Sequence, residues 1–521
     1  MGRLFFLMIA LAVLGTTLSS CDSFDTNSSL KKIMLGLSME VIPPGPPAGA
    51  FTLSQFGVTW YFDRTLAAGA DYGQYANGDY WVVGPVNIIY IDPISYRSRT
   101  GRVLNGSMVN PSPKNGSTQG YDSATYGQYG PYFDAALNAA MPGGAYISAG
   151  NPLVMRPGSS LVSAISGPEP GARSQLDGAA ILTVVNAPPP EGSFRPPYCG
   201  SDKTPRFNES DLDSTILANP TILKSLDRSV IQGVPAMADI ERYFERPWLD
   251  HVPGWVGGYI HPTGNMPNYG REIASEVGEG ALMLHLDFTL EQKRTLLIRY
   301  VQLGIDLYGI VLDGGEENWP NNGGHASGRK WPIMFAGLML GGSEFGGPGI
   351  ADLMADIGAR SGDFTGTDHV HFGEDDQTFY ITAGDIARDH HPDERACELE
   401  YSSTDEGLPE WGIVHQAEPN ADNKNWEAVY RQCCTAHAWG GFLLSALIMN
   451  QKANWNHDVI FDYMDRYMAV ELAVNGTGAW TRCWSHFVEN AWDYYRKNYG
   501  TIWPAGTAWD GTDLTLGLFC D

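Results

Sequence analysis

The hydrophobic pattern of this chain changes near residue 206, and that change constrains the fold more than any other feature. Between residues 51 and 185, runs of aromatic and β-branched residues such as 80–91 alternate with turn residues, and Asn77-Gly78 is typical of a hairpin turn. The N-terminal part is therefore predicted to form an antiparallel β-sandwich-like domain. With 521 residues, the chain is long enough to form at least one further domain.

After residue 206, apolar residues recur at the spacing of helices. Thr289 and Gln292 match a capping box, and Leu297, Val301 and Ile305 follow on one helical face. Further helices are predicted near 271–285, 332–341, 349–359, 376–388, 425–449, 456–471 and 485–499. Several are apolar nearly all round, which fits inner helices wrapped by outer ones. We therefore expect a multidomain α and β chain whose second part is an (α/α) toroid, an incomplete barrel of about ten or more helices, although periodicity alone does not separate it from a helical solenoid.

The N-terminal segment has the features of an export signal. Arg3, an apolar run over 4–14 and small residues before Cys21 describe a secretory signal, and the run is too short to span a membrane as a finished helix. Leu18-Ser19-Ser20-Cys21 resembles a bacterial lipobox, which predicts a lipoprotein anchored at Cys21 in the periplasm or at the cell surface. An ordinary cleaved signal would instead give a secreted protein. The predicted segments are a lipoprotein signal peptide (1–20), a polar tether (21–32), a β-rich domain (33–186), a Pro-rich linker (187–206) and the toroid (207–521).

The charge of the chain argues against one class of partner. There are 33 Lys and Arg against 59 Asp and Glu, a formal net charge of −26, whereas nucleic-acid binding needs a dense excess of cations. The charge does not exclude an anionic sugar polymer, because a local basic cleft can lie on an acidic protein. No later apolar run is long enough to cross a membrane, so we expect membrane contact only through the anchor.

The cysteines favour structural disulfides. Six remain without Cys21, and an even number in an exported protein permits bridges whose pairing the sequence does not give. They are Cys199, Cys397, Cys433, Cys434, Cys483 and Cys520. The C-x-x-C spacing of zinc sites does not occur among them.

The densest group of polar and aromatic residues lies between residues 318 and 332. It contains Trp319, Asn322, His325, Arg329, Lys330 and Trp331 around a Gly323-Gly324 pair. Aromatic rings stack on sugars, cations hold carboxylates, and an imidazole can move a proton, so this mixture predicts a site for a charged sugar. A Gly-rich loop that opens a helix, with His325 as a structural hydrogen bonder, is the alternative interpretation.

Three other loop segments carry candidate residues of the same types. Asn268, Tyr269 and Arg271 precede a predicted helix, and Gln377 and Tyr380 are predicted to lie at the start of another. Tyr430 and Arg431 lie before His437. A phenol can accept and return a proton when nearby cations lower its pKa, and a helix N-terminus favours a carboxylate. The structural alternative is a simple turn for the first segment and a core ring with a solvated hydroxyl for Tyr380. For Tyr430 and Arg431 it is a buried aromatic ring and a helix salt bridge.

A metal site is the less favoured interpretation of one further segment. Asp368, His369 and His371 lie close in sequence, and alternate residues of a strand face one side. An acid from 374–376 could complete such a site. Loops with solvated charges are commoner, so we predict no metal.

These segments together resemble those of the toroidal polysaccharide lyases. Most similar are the alginate and glucuronan lyases of polysaccharide lyase family 38, through Asn322-Gly-Gly-His325, Gly328-Arg329-Lys330, Gln377-Thr-Phe-Tyr380 and Tyr430-Arg431. The likeness runs from residue 260 to residue 500 and does not extend to the β-rich domain.

The resemblance implies β-elimination on a uronic-acid polymer, with an anionic polysaccharide as the partner. Asn or Arg side chains would hold the C5 carboxylate and acidify the adjacent proton, the candidates being Asn268, Arg271, Asn322 and Arg329. His325 or a Tyr would remove that proton, and Tyr380 would protonate the departing O4 oxygen. This chemistry would require no metal and no organic cofactor. Trp319, Lys330, Trp331, Tyr269, Gln377, Tyr430 and Arg431 would line the substrate.

Two other functions stay open. A glycoside hydrolase on an α/α scaffold needs paired carboxylates about 5–9 Å apart, for which Glu316 with Glu317 or Asp375 with Asp376 are candidates. A surface lipoprotein that captures glycans without cleaving them would use the many aromatic rings. The crowd of His, Tyr, Arg and Asn fits elimination better, and the sequence contains no G-x-S-x-G, H-E-x-x-H or P-loop motif.

Overall fold

Strands occupy the first part of the described chain and helices the second. The computed structural model describes residues 43–124, 132–167, 176–254, 260–265, 270–320, 323–341, 370–387, 403–412, 431, 434–475 and 482–503. The predicted signal peptide, the lipidation site at Cys21 and the polar tether lie outside these residues.

Fifteen strands are described. They are β1 (Phe51–Gln55), β2 (Val58–Phe62), β3 (Tyr72–Gln74), β4 (Tyr80–Val83), β5 (Val86–Asp92), β6 (Tyr96–Arg97), β7 (Val103–Leu104), β8 (Ser107–Val109), β9 (Thr118–Gln119), β10 (Tyr132–Phe133), β11 (Leu153–Met155), β12 (Ser159–Ser166), β13 (Leu176–Val185), β14 (Thr378–Tyr380) and β15 (Pro409–Trp411). A first sheet has the order β1-β2-β5-β11, a second the order β3-β4-β13-β12-β8, and the remaining strands form three pairs. Apart from β4–β13 and β9–β10, the described pairs are antiparallel, which confirms the predicted antiparallel sheets.

The hairpin predicted at Asn77-Gly78 joins β3 and β4. Tyr72 pairs with Val82 and Gln74 with Tyr80, so the turn lies between the two strands. Gly78 has a φ of 90°, a conformation that glycine adopts at little cost.

The second sheet is apolar on both faces. Leu161 and Leu182 on one face share a hydrophobic cluster with Trp60 of the first sheet. On the other face, Val162 and Ile181 belong to the large cluster that includes the helices. Because neighbouring residues of a strand point to opposite faces, β12 and β13 contribute side chains to both hydrophobic clusters.

Eleven α-helices are described between residues 209 and 495. They are α1 (Glu209–Ala218), α2 (Met237–Tyr243), α3 (Gly270–His285), α4 (Leu290–Leu312), α5 (Lys330–Leu340), α6 (Gly373–Asp376), α7 (Ala383–Ala387), α8 (Ala436–Ile448), α9 (Lys452–Trp455), α10 (Asp458–Asn475) and α11 (His486–Tyr495). Short 3₁₀ turns lie at Pro113–Asn115, Ala135–Leu137, Pro142–Gly144, Arg228–Val230 and Arg496–Asn498. The prediction of a helical part that follows a β-rich part is confirmed, and its toroidal closure stays a prediction.

One helix prediction is wrong in its first half, and another lies outside the described residues. The segment predicted as a helix at 376–388 contains β14, which pairs with β15 in the register Thr378↔Trp411, before the short helix α7. Pairing with a strand about 30 residues away overrides the local helical pattern, because strand preference depends strongly on tertiary context. The helix predicted at 349–359 is not among the described residues.

Helix α4 is a core helix of the protein. The Thr289 hydroxyl caps the backbone N–H of Gln292 and the Gln292 side chain caps that of Thr289, so the predicted capping box is present. Of the described helices, α4 alone is long and apolar enough to cross a membrane, but 83% of its most apolar window is buried inside the protein.

A buried ion-pair group joins the strands to α4 through the Pro-rich segment 187–206. Arg195 Nε donates to Asp79 Oδ2 at 2.5 Å, beside the β3–β4 turn, and Arg195 Nη1 donates to Asp306 Oδ1 of α4 at 2.9 Å. All three side chains are buried. Since removing one partner of a buried pair leaves an uncompensated charge, this group ties the segment to both neighbours.

The disulfide prediction is wrong for two cysteines. Cys199 and Cys483 are free and buried, whereas Cys434 is disulfide-bonded. Cys483 contacts the Met468 sulfur at 3.8 Å, so its thiol packs as a small apolar group. An even number of cysteines does not show which of the thiols are free and buried in the core. The remaining cysteines lie outside the described residues.

Candidate functional site

Residues 323–329, which belong to the predicted segment 318–332, form a glycine-rich loop that the other three predicted segments contact. Gln377 Nε2 donates to the Gly323 carbonyl at 2.8 Å, and the Gly328 N–H donates to Glu374 Oε2 at 3.1 Å. Gly324 packs against the Cys434 carbonyl and 3.0 Å from the Cβ of Arg271, measured from an ideal Cβ position. Contacts therefore join segments that are up to about 160 residues apart in sequence, and we call this region the glycine-loop site.

Gly324 is predicted to tolerate no larger side chain. A Cβ at this position would overlap the Cys434 carbonyl oxygen, so Gly324→Ala must move backbone and is expected to lower the free energy of unfolding by about 3 kcal/mol. Gly384→Ala in α7 is the control, because its Cβ would meet only Thr382 Oγ1 at 3.4 Å. Urea denaturation of both variants measures the difference, and equal midpoints would show that the loop is not closely packed.

A group of buried charged side chains fixes the backbone of the loop 323–329. Asp250 Oδ2 accepts from Arg329 Nε at 2.9 Å, and Asp250 Oδ1 lies 2.8 Å from His261 Nε2. Arg329 Nη1 donates to the carbonyls of His325 at 3.1 Å and Ser327 at 2.8 Å. Burial alone would raise the pKa of Asp250, but Arg329 and His261 hold it well below its ordinary value. Arg329 thus fixes the loop backbone through a permanently ionised carboxylate.

The imidazole of His325 is buried and neutral. Its residue is 5% exposed, and burial together with the Arg329 charge lowers its pKa to about 3. At neutral pH the ring therefore carries no charge.

Sequence reasoning did not select Asp250 or His251. His251 is fully buried, its Nδ1 lies 3.2 Å from the Tyr198 hydroxyl, and burial lowers its pKa to about 3. The sequence feature that could have identified both residues is an acid followed by an imidazole in the otherwise apolar stretch 247–252. An ionisable group buried in such a stretch needs an interaction partner.

Lys330 and Trp331 lie in the protein interior. Lys330 Nζ donates to Asp375 Oδ2 and to the Trp455 carbonyl, each at 2.6 Å, and Trp455 Nε1 donates to Asp375 Oδ1 at 2.8 Å. The Trp331 ring stacks on Trp455 with centroids 6.2 Å apart. Burial lowers the pKa of Lys330, and the Asp375 carboxylate opposes that effect. Both predicted substrate-lining side chains therefore make structural contacts.

Gln377, Arg431 and Trp319 are also buried. Gln377 Oε1 accepts from Trp411 Nε1 at 3.2 Å, and the Trp319 ring stacks on Phe372 at 5.9 Å. Arg431 Nη1 donates to Glu410 Oε1 at 2.8 Å.

Glu410 is the partner of two arginines. Burial would raise its pKa, but Arg431 and Arg466 lower it to about 2. This group is linked to the glycine-loop site through Trp411, whose indole donates to Gln377.

Two predicted site residues keep an exposed part. Tyr380 is 39% exposed, and its hydroxyl donates to Asp462 Oδ2 at 2.5 Å. Partial burial and the Asp462 carboxylate raise the pKa of Tyr380, so the phenol keeps its proton at neutral pH. The Arg271 guanidinium is partly exposed and lies 4.1 Å from the centre of the Trp484 ring. The charged neighbour that shifts the pKa of Tyr380 is therefore a carboxylate, and not a cation that would lower it.

Several predicted residues lie outside the described part of the chain. They are Asn268, Tyr269, Asn322, Tyr430, Asp368 and His369. Among the described residues, no group of three or more His, Cys, Asp and Glu side chains is placed to hold a metal ion.

The acids that were candidates for a hydrolase pair have other partners. Asp375 pairs with Lys330, while Asp376 Oδ2 lies 2.8 Å from His371 Nδ1. Glu317 lies 3.3 Å from the other nitrogen of His371, and the hydrogen bond to Asp376 raises the pKa of that imidazole.

The chain matches no protein-family model, no curated protein and no solved structure. The resemblance to the family 38 lyases accordingly rests on the short segments alone.

Proposed function

We propose that the protein is a polysaccharide lyase that cleaves a uronic-acid polymer, alginate or glucuronan-like, by β-elimination. The observation that carries the proposal is the convergence of the other three polar segments on the loop 323–329, next to a neutral imidazole and a partly exposed guanidinium. In this proposal the helices form an incomplete (α/α) toroid with the glycine-loop site at its loop end. The protein would act after export, anchored through Cys21.

The proposed reaction assigns one role to each group. Arg271, with an amide such as Asn322, holds the C5 carboxylate and reduces its charge, which acidifies the C5 proton. His325 accepts that proton, the C5–H electron pair forms the C4–C5 double bond, and the C4–O4 bond breaks. Tyr380, which keeps its proton at neutral pH, protonates the departing O4 oxygen. The Tyr380 phenolate then takes a proton from water and His325 releases its proton to water, so both side chains return to their starting states and no cofactor is needed.

Arg329 has a positioning role in this proposal. Its Nε and Nη1 atoms are occupied by Asp250 and by two backbone carbonyls of the loop. Because these contacts set the loop backbone that carries His325, Arg329 acts on the substrate only through that loop.

The ultraviolet absorbance of the conjugated C4–C5 double bond provides the test. We expect the purified protein to raise this absorbance with at least one polymer among alginate, polymannuronate, polyguluronate, glucuronan, pectate and glycosaminoglycans. A neutral glucan, which has no C5 carboxylate, is the control and should give a flat trace. New reducing ends without absorbance would identify a hydrolase instead, and binding without either product would identify a capture protein.

A further inference from the structure

Three acidic side chains of the short helix α6 are buried next to the glycine-loop site. Glu374 and Asp375 are fully buried, and Asp376 is 5% exposed. Asp375 pairs with Lys330 of α5. Asp376 pairs with His371, but Glu374 forms no ion pair within the described part of the chain. Since a buried carboxylate without its own cation is unfavourable, Glu374 is the acid of the three whose surroundings favour the neutral form.

Glu374 contacts the backbone of the glycine-rich loop directly. Its Oε2 atom accepts the Gly328 N–H at 3.1 Å, and its Oε1 atom has no hydrogen-bond partner among the described residues. The neighbouring Gly373 packs closely on the loop, because a Cβ added to it would lie 2.9 Å from the Ala326 Cβ. The loop 323–329 is therefore part of the packing that keeps water from the Glu374 carboxyl.

The charges around Glu374 hold its two forms close to balance. Burial and the negative charge of Asp375 raise the pKa of Glu374 to about 8, while the Gly328 N–H and the Lys330 charge act in the opposite direction. The other titratable groups of the elements packed around α6 are Glu317, His325, Arg329, His371, Asp376 and His457. None of these six forms an ion pair with Glu374. The ionised form of Glu374 thus has no salt-bridge partner in the closed loop.

We propose that Glu374 is a pH-sensitive switch, which keeps the loop 323–329 packed on α6 while its carboxyl is protonated and opens the loop when the carboxyl ionises. Ionised Glu374 places a second negative charge beside Asp375, whose cation Lys330 is already engaged. Water relieves that charge only where the packing has opened. The effect of the switch on cleavage rests on the proposed lyase function, whereas its effect on the loop does not.

The switch has a defined effect on stability. Glu374 ionises near pH 4.5 in the unfolded chain and near pH 8 in the folded protein, so between these values the folded state binds one more proton. Rising pH then favours unfolding, by up to about tenfold per pH unit in the unfolding equilibrium constant, and the effect levels off above the folded pKa. Glu374→Gln removes this dependence, because its amide oxygen still accepts the Gly328 N–H but the side chain does not ionise.

Urea denaturation of the wild-type protein and of Glu374→Gln between about pH 5 and 8 measures this dependence. We expect the ratio of the two unfolding constants, wild type over variant, to rise toward about tenfold per pH unit. Glu410→Gln is the matched control, since Glu410 is also buried but two arginines lower its pKa to about 2. Its ratio to wild type should not change over this range. A ratio for Glu374→Gln that changes by less than about twofold per pH unit would overturn the switch.

Hydrogen–deuterium exchange of the peptide that covers residues 323–330 tests the loop without any substrate. The two proteins are compared at the same pH, so the intrinsic pH dependence of exchange cancels. We expect equal exchange near pH 6 and about tenfold faster exchange in the wild type near pH 9, where most of the Glu374 carboxyl is ionised. Equal exchange at both values would overturn the switch even if the stability ratio changes, because the ionised carboxyl would then be accommodated without loop movement.

Cleavage rates separate the switch from the lyase function. The rate of each protein near pH 9 is divided by its own rate near pH 7, and we expect a fall of about tenfold in the wild type and of less than about twofold in Glu374→Gln. An equal fall in both proteins would assign the loss to another group, such as Lys330, and would overturn the switch. Faster loop exchange at high pH without unsaturated product from any polymer would keep the switch and overturn the lyase function.

Discussion

Replacing His325 by Ala is expected to lower kcat for elimination by about 10²-fold or more while polymer binding stays within a few-fold of wild type. The reason is that His325 accepts the C5 proton in the proposed reaction; burial and the Arg329 charge lower its pKa to about 3, so the ring is unprotonated before it reacts. His285→Gln is the matched control. His285 is equally buried, its pKa is also lowered to about 3, and its Nε2 lies 3.1 Å from Ser445 Oγ near the far end of α3.

Absorbance kinetics and polymer binding should be measured on the same preparations. Tyr380→Phe keeps the ring but removes the O4 proton donor, so its kcat should fall by a similar factor. Between about pH 5 and 8 the rate should not follow a titration near 6.5, because His325 stays unprotonated over that range. A His325→Ala variant as active as His285→Gln would remove His325 from the reaction.

Local patterns in the sequence predicted the parts of the fold that local interactions form. The turn at Asn77-Gly78 needs only a residue that tolerates positive φ, and the box of Thr289 with Gln292 needs only one helical turn. The strand Thr378–Tyr380 could not be found in this way, because its partner Pro409–Trp411 lies far along the chain. Strand pairing of that kind depends on tertiary contacts that no local window contains.

The residue types at the candidate site could be predicted from the sequence, but the solvent exposure of their side chains could not. The segments that converge on the loop 323–329 were selected because polar and aromatic residues crowd there. Their burial was not predictable, since Lys330 is matched by Asp375, which lies 45 residues further along the chain. The sequence alone does not distinguish a lysine or tryptophan that contacts substrate from one that lies in the core. The two cases differ in where the interaction partner of the side chain lies in the folded structure. Asp250 was not predicted as a site residue, because a single acid in an apolar stretch forms no motif.

Replacing Asp250 by Asn is expected to lower the free energy of unfolding by about 3–5 kcal/mol, because it leaves the buried Arg329 guanidinium without its carboxylate. The substitution keeps the size of the side chain, so the loss reports charge rather than packing. Asp202→Asn is the control. The Asp202–Arg206 pair also has a short N–O distance, 2.6 Å, but it is exposed to solvent and should contribute less than about 1 kcal/mol. Urea denaturation of both variants measures the contrast.

A second substitution separates the charge of Arg329 from its backbone contacts. Asp250→Asn with Arg329→Met removes both charges, so the double variant should be more stable than Asp250→Asn alone if an unpaired guanidinium causes the loss. It cannot recover the hydrogen bonds from Arg329 Nη1 to the carbonyls of His325 and Ser327. Elimination should therefore stay slow in the double variant even where stability returns, because the loop that carries His325 has lost its support. A double variant with restored stability and full activity would mean that the ion pair serves folding alone, and that other contacts set the position of His325.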